Sequence, residues 1–313
     1  MKPSVEASCQ CLMCAHTGWQ MVEQLSGKQL RSLWKESGHE FTSEAWGPIS
    51  EDYMVTMRRC ERCGFVSFDS SLAGNEAFYR QLESEGYFAE NRPEFVRAVG
   101  LIRKHRLKRV LDVGCGSGEF LNLARLAGSQ TYGLDLNATA AEKARAKGHV
   151  VFSRLLHELE EELSGGGFDL ITLFQVLEHV RDPIGLMKEA RRRLNPGGYI
   201  SVAVPSENGV CRLAPWDPAQ WPPHHLSRWR LRDFPRLAEA AGLRLIERGG
   251  DNLFGTEIKR RWEWHDRYCK VLGRRPRIGG ARLAAIIAFT YRATGMRFVF
   301  PHKGSSIYAH FQS

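Results

Sequence analysis

The stretch VLDVGCGSGEFL at residues 110–121 decides the fold. It runs from a β-branched, apolar pattern typical of a strand, through three glycines at alternating positions, into a helical pattern. Because glycine lacks a Cβ atom, the chain can turn sharply here and a ligand can approach the backbone closely. The start of the following helix offers N–H groups and the positive end of the helix dipole. The stretch therefore predicts a nucleotide-like ligand at the carboxyl end of the first strand of an α/β sheet.

The spacing of the glycines argues against a dinucleotide ligand. A dinucleotide site uses G-x-G-x-x-G, whereas the spacing here is G-x-G-x-G, and Glu119 stands at the position of the third glycine. A second strand pattern, TYGLDL at residues 131–136, contains Asp135 near its end, and this carboxylate suits the two hydroxyls of an adenosine ribose. Asp112, just before the glycines, is placed to meet a cationic amino group. These positions favour an adenosine ligand that carries an amino group.

These residues resemble the class I S-adenosylmethionine-dependent methyltransferases. The resemblance rests on DVGCGSG at residues 112–118, the strand-end Asp135, FDL and FQVLEHV at either end of a fourth strand, and LNPGGY before a fifth. It covers residues 93–250 and a last strand near 305–312. It implies an α/β fold with a Rossmann-like seven-stranded sheet in the order 3-2-1-4-5-7-6, the seventh strand antiparallel. Another nucleotide-binding α/β domain is the alternative.

The resemblance also implies S-adenosylmethionine as the cofactor and suggests which residues bind it. In such enzymes aromatic residues before the core cover the methionine end of the cofactor, so Tyr79 is expected to do so here. Tyr87 is a second choice, and core packing is the alternative role for both residues. The expected cofactor-binding residues are Asp112, Gly114, Cys115, Gly116, Gly118, Asp135, Leu136, Phe174, Gln175 and Tyr79.

Two C-x-x-C motifs in the N-terminal part of the chain predict a metal site. No secretion signal is apparent, so cysteines at this spacing are expected to be metal ligands or free thiols rather than disulfides. Each motif directs two thiolates toward one point, and two motifs complete a tetrahedral sulfur site. We therefore expect structural Zn²⁺ on Cys11, Cys14, Cys60 and Cys63, with unligated thiols as the alternative. Substitute ligands close to Cys11 are Cys9 and His16.

Length and charge set broad limits on the protein. A chain of 313 residues allows about two domains and a sizeable buried core. The net charge of +9 is uneven: residues 1–100 hold 10 basic and 14 acidic side chains, whereas residues 251–313 hold 12 and 4. A basic C-terminal part fits an anionic partner such as nucleic acid, a phosphorylated carrier or a membrane surface. A solvated helical face is the alternative.

The patterns divide the chain into five segments. They are a zinc-ribbon-like module (1–74), a helical linker and cofactor cover (75–108), the methyltransferase core (109–250), a helical insertion (251–304) and the last core strand (305–313). We expect the insertion to be a lid or a packing helix, with an oligomer contact or peripheral membrane contact through 251–300 as alternatives. It contains a helix-like run at 281–293 and the side chains Lys259, Arg260, Arg261, Trp262, Trp264, Arg267 and Lys270.

Histidines provide the candidate catalytic groups. The segment WPPHHLSRW at residues 221–229 follows the fifth strand, and neutral histidine is a suitable base near pH 7. It is similar to the H-E-H-x-S-Y-F-S stretch of sugar C-methyltransferases, which also carry N-terminal cysteine-ligated zinc modules. On that comparison His225 matches the catalytic histidine, His224 replaces a glutamate and Arg228 replaces a functional tyrosine. The alternative for His225 is a structural histidine of the loop. His179, at the end of strand four, is a second candidate, with helix capping or substrate contact as alternative roles.

The predicted function is that of a cytoplasmic methyltransferase acting on a hydroxyl or carbon of a sugar, glycan precursor or other secondary metabolite. N-methylation is disfavoured because residues 174–179 read FQVLEH rather than Asn/Asp-Pro-Pro-aromatic. The alternatives are an RNA methyltransferase, for which zinc and a basic tail are a reasonable platform, a protein methyltransferase, and a non-catalytic cofactor-binding or zinc interaction module. The sequence does not indicate an oligomeric state.

Overall fold

The computed structural model describes residues 10–82, 92–159, 166–209, 212, 214–251, 253–274, 299–300 and 305–313. Its strands are β1 (Trp19–Ser26), β2 (Met54–Cys60), β3 (Val66–Ser67), β4 (Arg109–Val113), β5 (Gln130–Leu134), β6 (Val150–Phe152), β7 (Phe168–Phe174), β8 (Leu194–Pro205), β9 (Ser227–Arg228), β10 (Arg244–Gly250), β11 (Leu253–Phe254), β12 (Val299–Phe300) and β13 (Ser306–Gln312). Its α-helices are α1 (Gly27–Glu36), α2 (Glu76–Leu82), α3 (Pro93–His105), α4 (Glu119–Leu126), α5 (Ala138–Ala146), α6 (Pro183–Arg192), α7 (Phe234–Ala241) and α8 (Gly255–Val271).

Seven strands form the central sheet, in the order β6-β5-β4-β7-β8-β13-β10. The strands from β4 to β8 in this sheet pair in parallel, and β13 runs antiparallel to both β8 and β10. Numbered as sheet strands one to seven, this is the predicted order 3-2-1-4-5-7-6 with an antiparallel seventh strand. The α/β methyltransferase sheet expected from the sequence is therefore confirmed.

Alternate residues of the central strands supply two apolar cores, one on each face of the sheet. Val110 and Leu170 pack in the cluster that contains Phe95 of α3. Their neighbours Leu111 and Ile171 pack in the cluster that contains the side chains of α6 and α7. Successive side chains of a strand point to opposite faces, so two cores of this kind require helices on both sides. The centre of the sheet is consequently shielded from water, and its carboxyl edge is left for ligands.

Side-chain caps fix the starts of two helices as the sequence predicts. Asn137 Oδ1 accepts the N–H of Ala140 at 3.0 Å at the start of α5. Asp182 Oδ1 accepts the N–H of Gly185 at 2.8 Å, and Pro183 occupies the first position of α6. Each cap satisfies an N–H that has no partner within the helix. These caps hold two helix starts at the carboxyl edge of the sheet.

The fifth sheet strand begins earlier than its apolar pattern predicts. The sequence predicts a strand over Tyr199–Val204 after a Gly-Gly stop, whereas β8 begins at Leu194. The N–H of Phe168 donates to the carbonyl of Arg193 at 2.8 Å, and the register shifts between Phe168 and Leu170. Backbone pairing with β7 therefore extends through the polar stretch that looks like a turn.

The N-terminal part forms a second sheet, in the order β1-β2-β3-β9. Three of its strands come from residues 19–67, and β9 comes from the segment that follows the core strand β8. The helix α1 begins with a capping box, in which Ser26 and Gln29 bond each other's backbone N–H groups. This sheet is therefore completed by residues about 160 positions away in the sequence.

The C-terminal half of α8 packs against the N-terminal part. Tyr268 and Cys269 are buried in the same cluster as Leu25 and Trp34. Arg274, just after the helix, forms an ion pair with Glu23 at 2.8 Å. Of the predicted insertion, the run at 281–293 and the side chains of 259–262 lie outside the described residues, as do Cys9, Tyr87 and Cys211. Among the helices that the structure describes, none is both long and apolar enough to cross a membrane.

Candidate functional site

The glycine loop after β4 has the backbone conformation that its sequence predicts. Gly114, Gly116 and Gly118 have φ values of 74°, 54° and 85°, all in the left-handed region. A side chain is strained in that region, so alternating glycines are needed for this bend. A Cβ atom at Gly114 would also lie 2.9 Å from Cγ2 of Val176. The loop is thus packed closely against the segment that follows β7.

Asp135 holds the glycine loop to the end of the neighbouring strand. Its Oδ2 accepts the N–H of Gly116 at 2.7 Å, and its Oδ1 accepts the N–H of Asn137 at 2.9 Å. A carboxylate has about four lone-pair positions, so both oxygens can also accept ribose hydroxyls. The next side chain, Leu136, is 65% exposed and offers apolar surface at the same edge. The pair fits the ribose and base of an adenosine.

Two buried carboxyl groups lie beside this loop. Asp112 is buried and accepts a hydrogen bond from Thr172 Oγ1 at 2.6 Å, and burial raises its pKa to about 7. Glu178 is also buried, and burial raises its pKa to about 8. The positive charge of Arg92 lowers the pKa of both groups, although less than burial raises it. The site therefore concentrates acidic groups where a cationic ligand is expected.

Other predicted cofactor residues have varied surroundings. Phe174 packs in a buried aromatic cluster, with its ring centre 5.4 Å from Phe95 and 5.1 Å from Phe120. Gln175 has a φ of 58°, and its amide nitrogen donates to Glu94 at 3.3 Å. Cys115 is buried, and a Cβ atom at its neighbour Gly133 would lie 2.6 Å from the Cys115 sulfur. Only the backbone of Cys115 can therefore contribute to the loop surface.

Three histidines converge at the carboxyl edge of the sheet. One ring nitrogen each from His179, His224 and His225 lies within 4.8 Å of the others. The rings of His224 and His225 are stacked with centres 4.4 Å apart, and the ring of His179 meets them at 4.6 and 4.7 Å. The hydroxyl of Tyr79 lies 3.3 Å from His179 Nδ1. This histidine cluster unites the two candidate catalytic residues and one predicted cofactor residue.

Oxygen atoms fix the orientation of all three rings. His179 Nδ1 lies 2.8 Å from the carbonyl oxygen of His224, and His224 Nδ1 lies 2.9 Å from that of Ala219. His225 Nδ1 lies 3.3 Å from the amide oxygen of Gln220. A carbonyl oxygen can only accept, so each of these Nδ1 atoms donates a proton to its oxygen partner.

Burial keeps these imidazoles neutral. It lowers the pKa of His179 to about 4, partly offset by the carbonyls of His224 and Gln175. It lowers the pKa of His224 to about 3 and that of His225 well below its ordinary value, with the neighbouring imidazoles adding to the effect. At neutral pH the three rings are therefore uncharged groups that can accept a hydrogen bond or bind a metal ion.

The four cysteines of the two C-x-x-C motifs form a second cluster. Their sulfur atoms lie within 4.8 Å of one another, with Cys11 and Cys63 at 3.5 Å and Cys14 and Cys60 at 3.6 Å. Three of the four side chains are buried. Four sulfurs at one point fit a tetrahedral Zn²⁺ ion. The predicted cluster is confirmed.

Sequence reasoning missed two members of the site. His224 enters the sequence comparison only as a replacement for glutamate, yet its ring contacts the rings of both His179 and His225. Glu178 enters only as part of a strand motif, yet it is 1% exposed, with Oε1 lying 3.8 Å from His179 Nε2. The available signals were a histidine pair after a core strand and a carboxylate inside the apolar run FQVLEHV.

Comparisons with known proteins agree with this geometry. A family model described as a methyltransferase domain matches residues 84–248, more than half of the chain. The ubiquinone biosynthesis O-methyltransferase of Vibrio cholerae serotype O1 is 31% identical over 106 residues, which are 32% of this chain and 43% of that protein. The enzyme of the same name from Bordetella bronchiseptica is 34% identical over 107 residues, which are 32% and 44%. The chain thus spans less than half the length of these curated relatives.

A solved structure is also similar. The S-adenosylmethionine-dependent methyltransferase of Mesorhizobium loti has 15% sequence identity and a TM-score of 0.47, and the match covers 72% of this chain and 100% of that one. The family match covers the glycine loop, Asp135, Glu178 and the histidine pair. The chain therefore belongs to the methyltransferase-domain family, within the class I S-adenosylmethionine-dependent group.

Proposed function

We propose that this protein transfers a methyl group from S-adenosylmethionine to a hydroxyl oxygen or a carbon atom of a small molecule such as a sugar, glycan precursor or other secondary metabolite. One observation carries the proposal: the glycine loop packs at Gly114 against Val176, whose carbonyl accepts the N–H of His179 of the histidine cluster at 3.0 Å. The names of the curated relatives support oxygen as the acceptor atom.

The residues of the glycine loop and its neighbours fit the cofactor. Asp135 would accept the ribose hydroxyls, and exposed Leu136 would lie against the adenine. Asp112 would meet the amino group, and the backbone of the three left-handed glycines leaves room for the sulfonium end. When bound, S-adenosylmethionine supplies an electrophilic methyl group on a positively charged sulfur.

The histidine cluster would hold the acceptor. His225 and His179 present neutral rings whose Nδ1 protons are already engaged by oxygen atoms. Such rings can orient an acceptor hydroxyl, and orientation within about 3 Å of the reacting carbon supplies much of the catalysis in a displacement reaction. Tyr79, whose hydroxyl lies 3.3 Å from His179 Nδ1, would cover this side of the site.

Calorimetric binding of S-adenosylhomocysteine tests the cofactor site. We expect the Asp135→Asn variant to lose about tenfold or more in affinity, because hydrogen bonds to a charged carboxylate are worth roughly 1.5–3 kcal/mol. Asp169→Asn is the matched control, since Asp169 also accepts two backbone N–H groups but lies at the opposite edge of the sheet. Equal affinities for the two variants would contradict the proposed site.

Transfer of a labelled methyl group identifies the acceptor class. We expect label from S-adenosylmethionine to enter small molecules of a cell extract and not RNA or protein. Label in RNA or protein would favour the two macromolecular alternatives. Tight cofactor binding without any transfer would favour a non-catalytic binding module.

A further inference from the structure

The histidine cluster has the features of a metal site as well as those of an acceptor site. Its three ring nitrogens converge within 4.8 Å, the same limit that the four cysteine sulfurs satisfy. His224 and His225 are 4% and 5% exposed, and Nδ1 of His179 lies 3.3 Å from the hydroxyl of Tyr79. One acceptor hydroxyl does not require three imidazoles, whereas a catalytic metal ion commonly has three protein ligands.

We propose that His179, His224 and His225 bind one divalent transition-metal ion, which holds the acceptor through a hydroxyl oxygen. The proposal rests on the proposed function, and it narrows the acceptor to a hydroxyl compound. Imidazole suits Zn²⁺, Co²⁺ and similar ions, whereas Mg²⁺ prefers oxygen ligands. Three protein ligands leave the fourth position of a tetrahedral ion for substrate, as in catalytic zinc sites.

The hydrogen bonds around the rings are those of metal-binding histidines. Such a histidine almost always donates its other ring N–H to a carbonyl, carboxylate or water, which fixes the tautomer and orients the ring. Here the carbonyl oxygens of His224 and Ala219 accept from His179 and His224, and the amide oxygen of Gln220 accepts from His225.

A buried carboxylate next to the cluster also favours a bound cation. Glu178 is 1% exposed, and its Oε1 lies 3.8 Å from Nε2 of His179. In the described part of the chain neither oxygen of Glu178 meets a hydrogen-bond donor of another residue. The ionised form of a side chain buried in this way costs free energy unless a positive partner offsets its loss of hydration, and an ion on the histidine cluster would be such a partner.

The ion would make a hydroxyl group reactive. A hydroxyl bound to it would release its proton to water, because the ion stabilises the oxygen anion. That oxygen would form the new C–O bond while the methyl carbon's bond to the sulfonium sulfur breaks, and sulfur keeps the bonding electron pair. No oxidant or reductant is needed.

Titration with Co²⁺ tests the proposal. The protein is first loaded with a single equivalent of Zn²⁺ per chain, which the four thiolates of the cysteine cluster take up, and Co²⁺ alone is then added. We expect one further equivalent of Co²⁺ per chain, with visible d–d absorption and without the thiolate-to-cobalt band of a cysteine site. We expect His224→Gln and His225→Gln each to weaken this binding about tenfold or more. His310→Gln is the matched control, because His310 is 4% exposed and lies on β13 outside the cluster.

A second measurement uses only the wild-type protein, so it does not depend on the folding of a variant. Electron spin-echo spectra of Cu²⁺ bound to the wild-type protein report the remote nitrogens of coordinated imidazoles, and we expect more than one such ring. Absence of a bound equivalent of Co²⁺ in the zinc-loaded protein, or Cu²⁺ spectra without imidazole nitrogens, would overturn the proposal. Cobalt binding without any methyl transfer would contradict only the proposed function, because the metal stoichiometry is measured without substrate.

Discussion

Val66 on β3 and Arg228 on β9 face each other across an antiparallel strand pair. The strand β3 starts three residues after Cys63, and β9 starts two residues after His225. The hydrogen bonds continue beyond the pair: the N–H of Phe68 donates to the carbonyl of Leu226 at 2.9 Å. The cysteine cluster and the histidine cluster are therefore attached to the same short ladder.

This ladder predicts that the metal of the cysteine cluster controls the order of the histidine segment. In Cys60→Ser, loss of structural zinc should loosen β3, because such ions contribute directly to folding free energy. We expect faster hydrogen exchange at the N–H groups of Phe68 and Leu226, the latter bonded to the Glu178 carbonyl at 2.7 Å. Mass spectrometry of exchange into peptides covering 64–72 and 221–229 measures this effect.

The matched control for the zinc prediction is Cys269→Ser, which changes a buried cysteine outside the cluster. S-adenosylhomocysteine affinity should change little in Cys60→Ser, because the glycine loop belongs to the other sheet. Unchanged exchange in zinc-free Cys60→Ser would show that β9 holds its place without the metal.

Alanine substitution should have opposite effects on stability at a glycine of the loop and at a glycine within a helix. Gly118→Ala places a Cβ at a φ of 85° and 3.1 Å from Cβ of Ala144. We expect the free energy of unfolding to fall by about 1–2 kcal/mol and S-adenosylhomocysteine affinity to fall with it. Chemical denaturation and calorimetry measure the two effects.

Gly100→Ala is the matched control for the loop glycine. Gly100 lies within α3, its φ is not positive, and a Cβ there meets nothing within 4 Å. Alanine should therefore raise the free energy of unfolding by about 0.5–1 kcal/mol. Equal effects of the two substitutions would mean that the left-handed conformation is not required at residue 118.

Lysine should not replace Arg228 without loss of stability. Its guanidinium donates to the carbonyls of Pro215 and Gln220, both at 3.2 Å, and lies 3.7 Å from Glu207. Lysine is a point charge on a flexible stem and cannot match this planar set of donors. We expect Arg228→Lys to lower the free energy of unfolding by about 2 kcal/mol and to reduce methyl transfer. Arg236→Lys is the matched control, because Arg236 is exposed on α7, and it should change neither quantity. Denaturant titration distinguishes them, and a wild-type midpoint for Arg228→Lys would refute this role.

The central sheet could be predicted because its signals are local. Each strand of the core is followed within a few residues by its turn and helix start, so VLDVGCGSG and Asn137 fix both element type and order. The C-x-x-C pairs are local in the same way, since each pair brings its own two sulfurs together. Local patterns thus account for the cofactor loop and the cysteine cluster.

The histidine cluster could be predicted only in part because its assembly is not local. The segment of His224 and His225 is attached through β9, a two-residue strand whose partner β3 lies about 160 positions earlier, and the N–H of Leu226 joins it to the Glu178 carbonyl beside His179. A strand this short has no recognisable alternation of its own. The insertion poses the same difficulty: its pattern indicates that one face of α8 is apolar, but not that Tyr268 packs beside Leu25.

The pKa of Asp112 links the cofactor site to pH. Burial raises this pKa from 3.8 to about 7; the charges of Asp135 and Glu119 add to the increase, and Thr172 and Arg92 oppose it. In the unfolded chain the carboxyl ionises near pH 4, but in the folded protein it keeps its proton to about pH 7. Its contribution to folding is therefore complete below pH 4 and is lost as the pH rises through about 7.

Asp112→Asn, which cannot ionise, should remove this dependence. Relative to the variant, the wild-type free energy of unfolding should decline by as much as about 4 kcal/mol between pH 4 and pH 7 and stay level above that. Cofactor affinity should instead rise with pH, because the amino group of the cofactor needs the ionised carboxylate. The affinity of the wild type for S-adenosylhomocysteine should weaken up to about tenfold for each pH unit below 7. Calorimetry and denaturant titrations of both proteins over this range give the two curves. Parallel curves for wild type and variant would show that Asp112 does not titrate in this window.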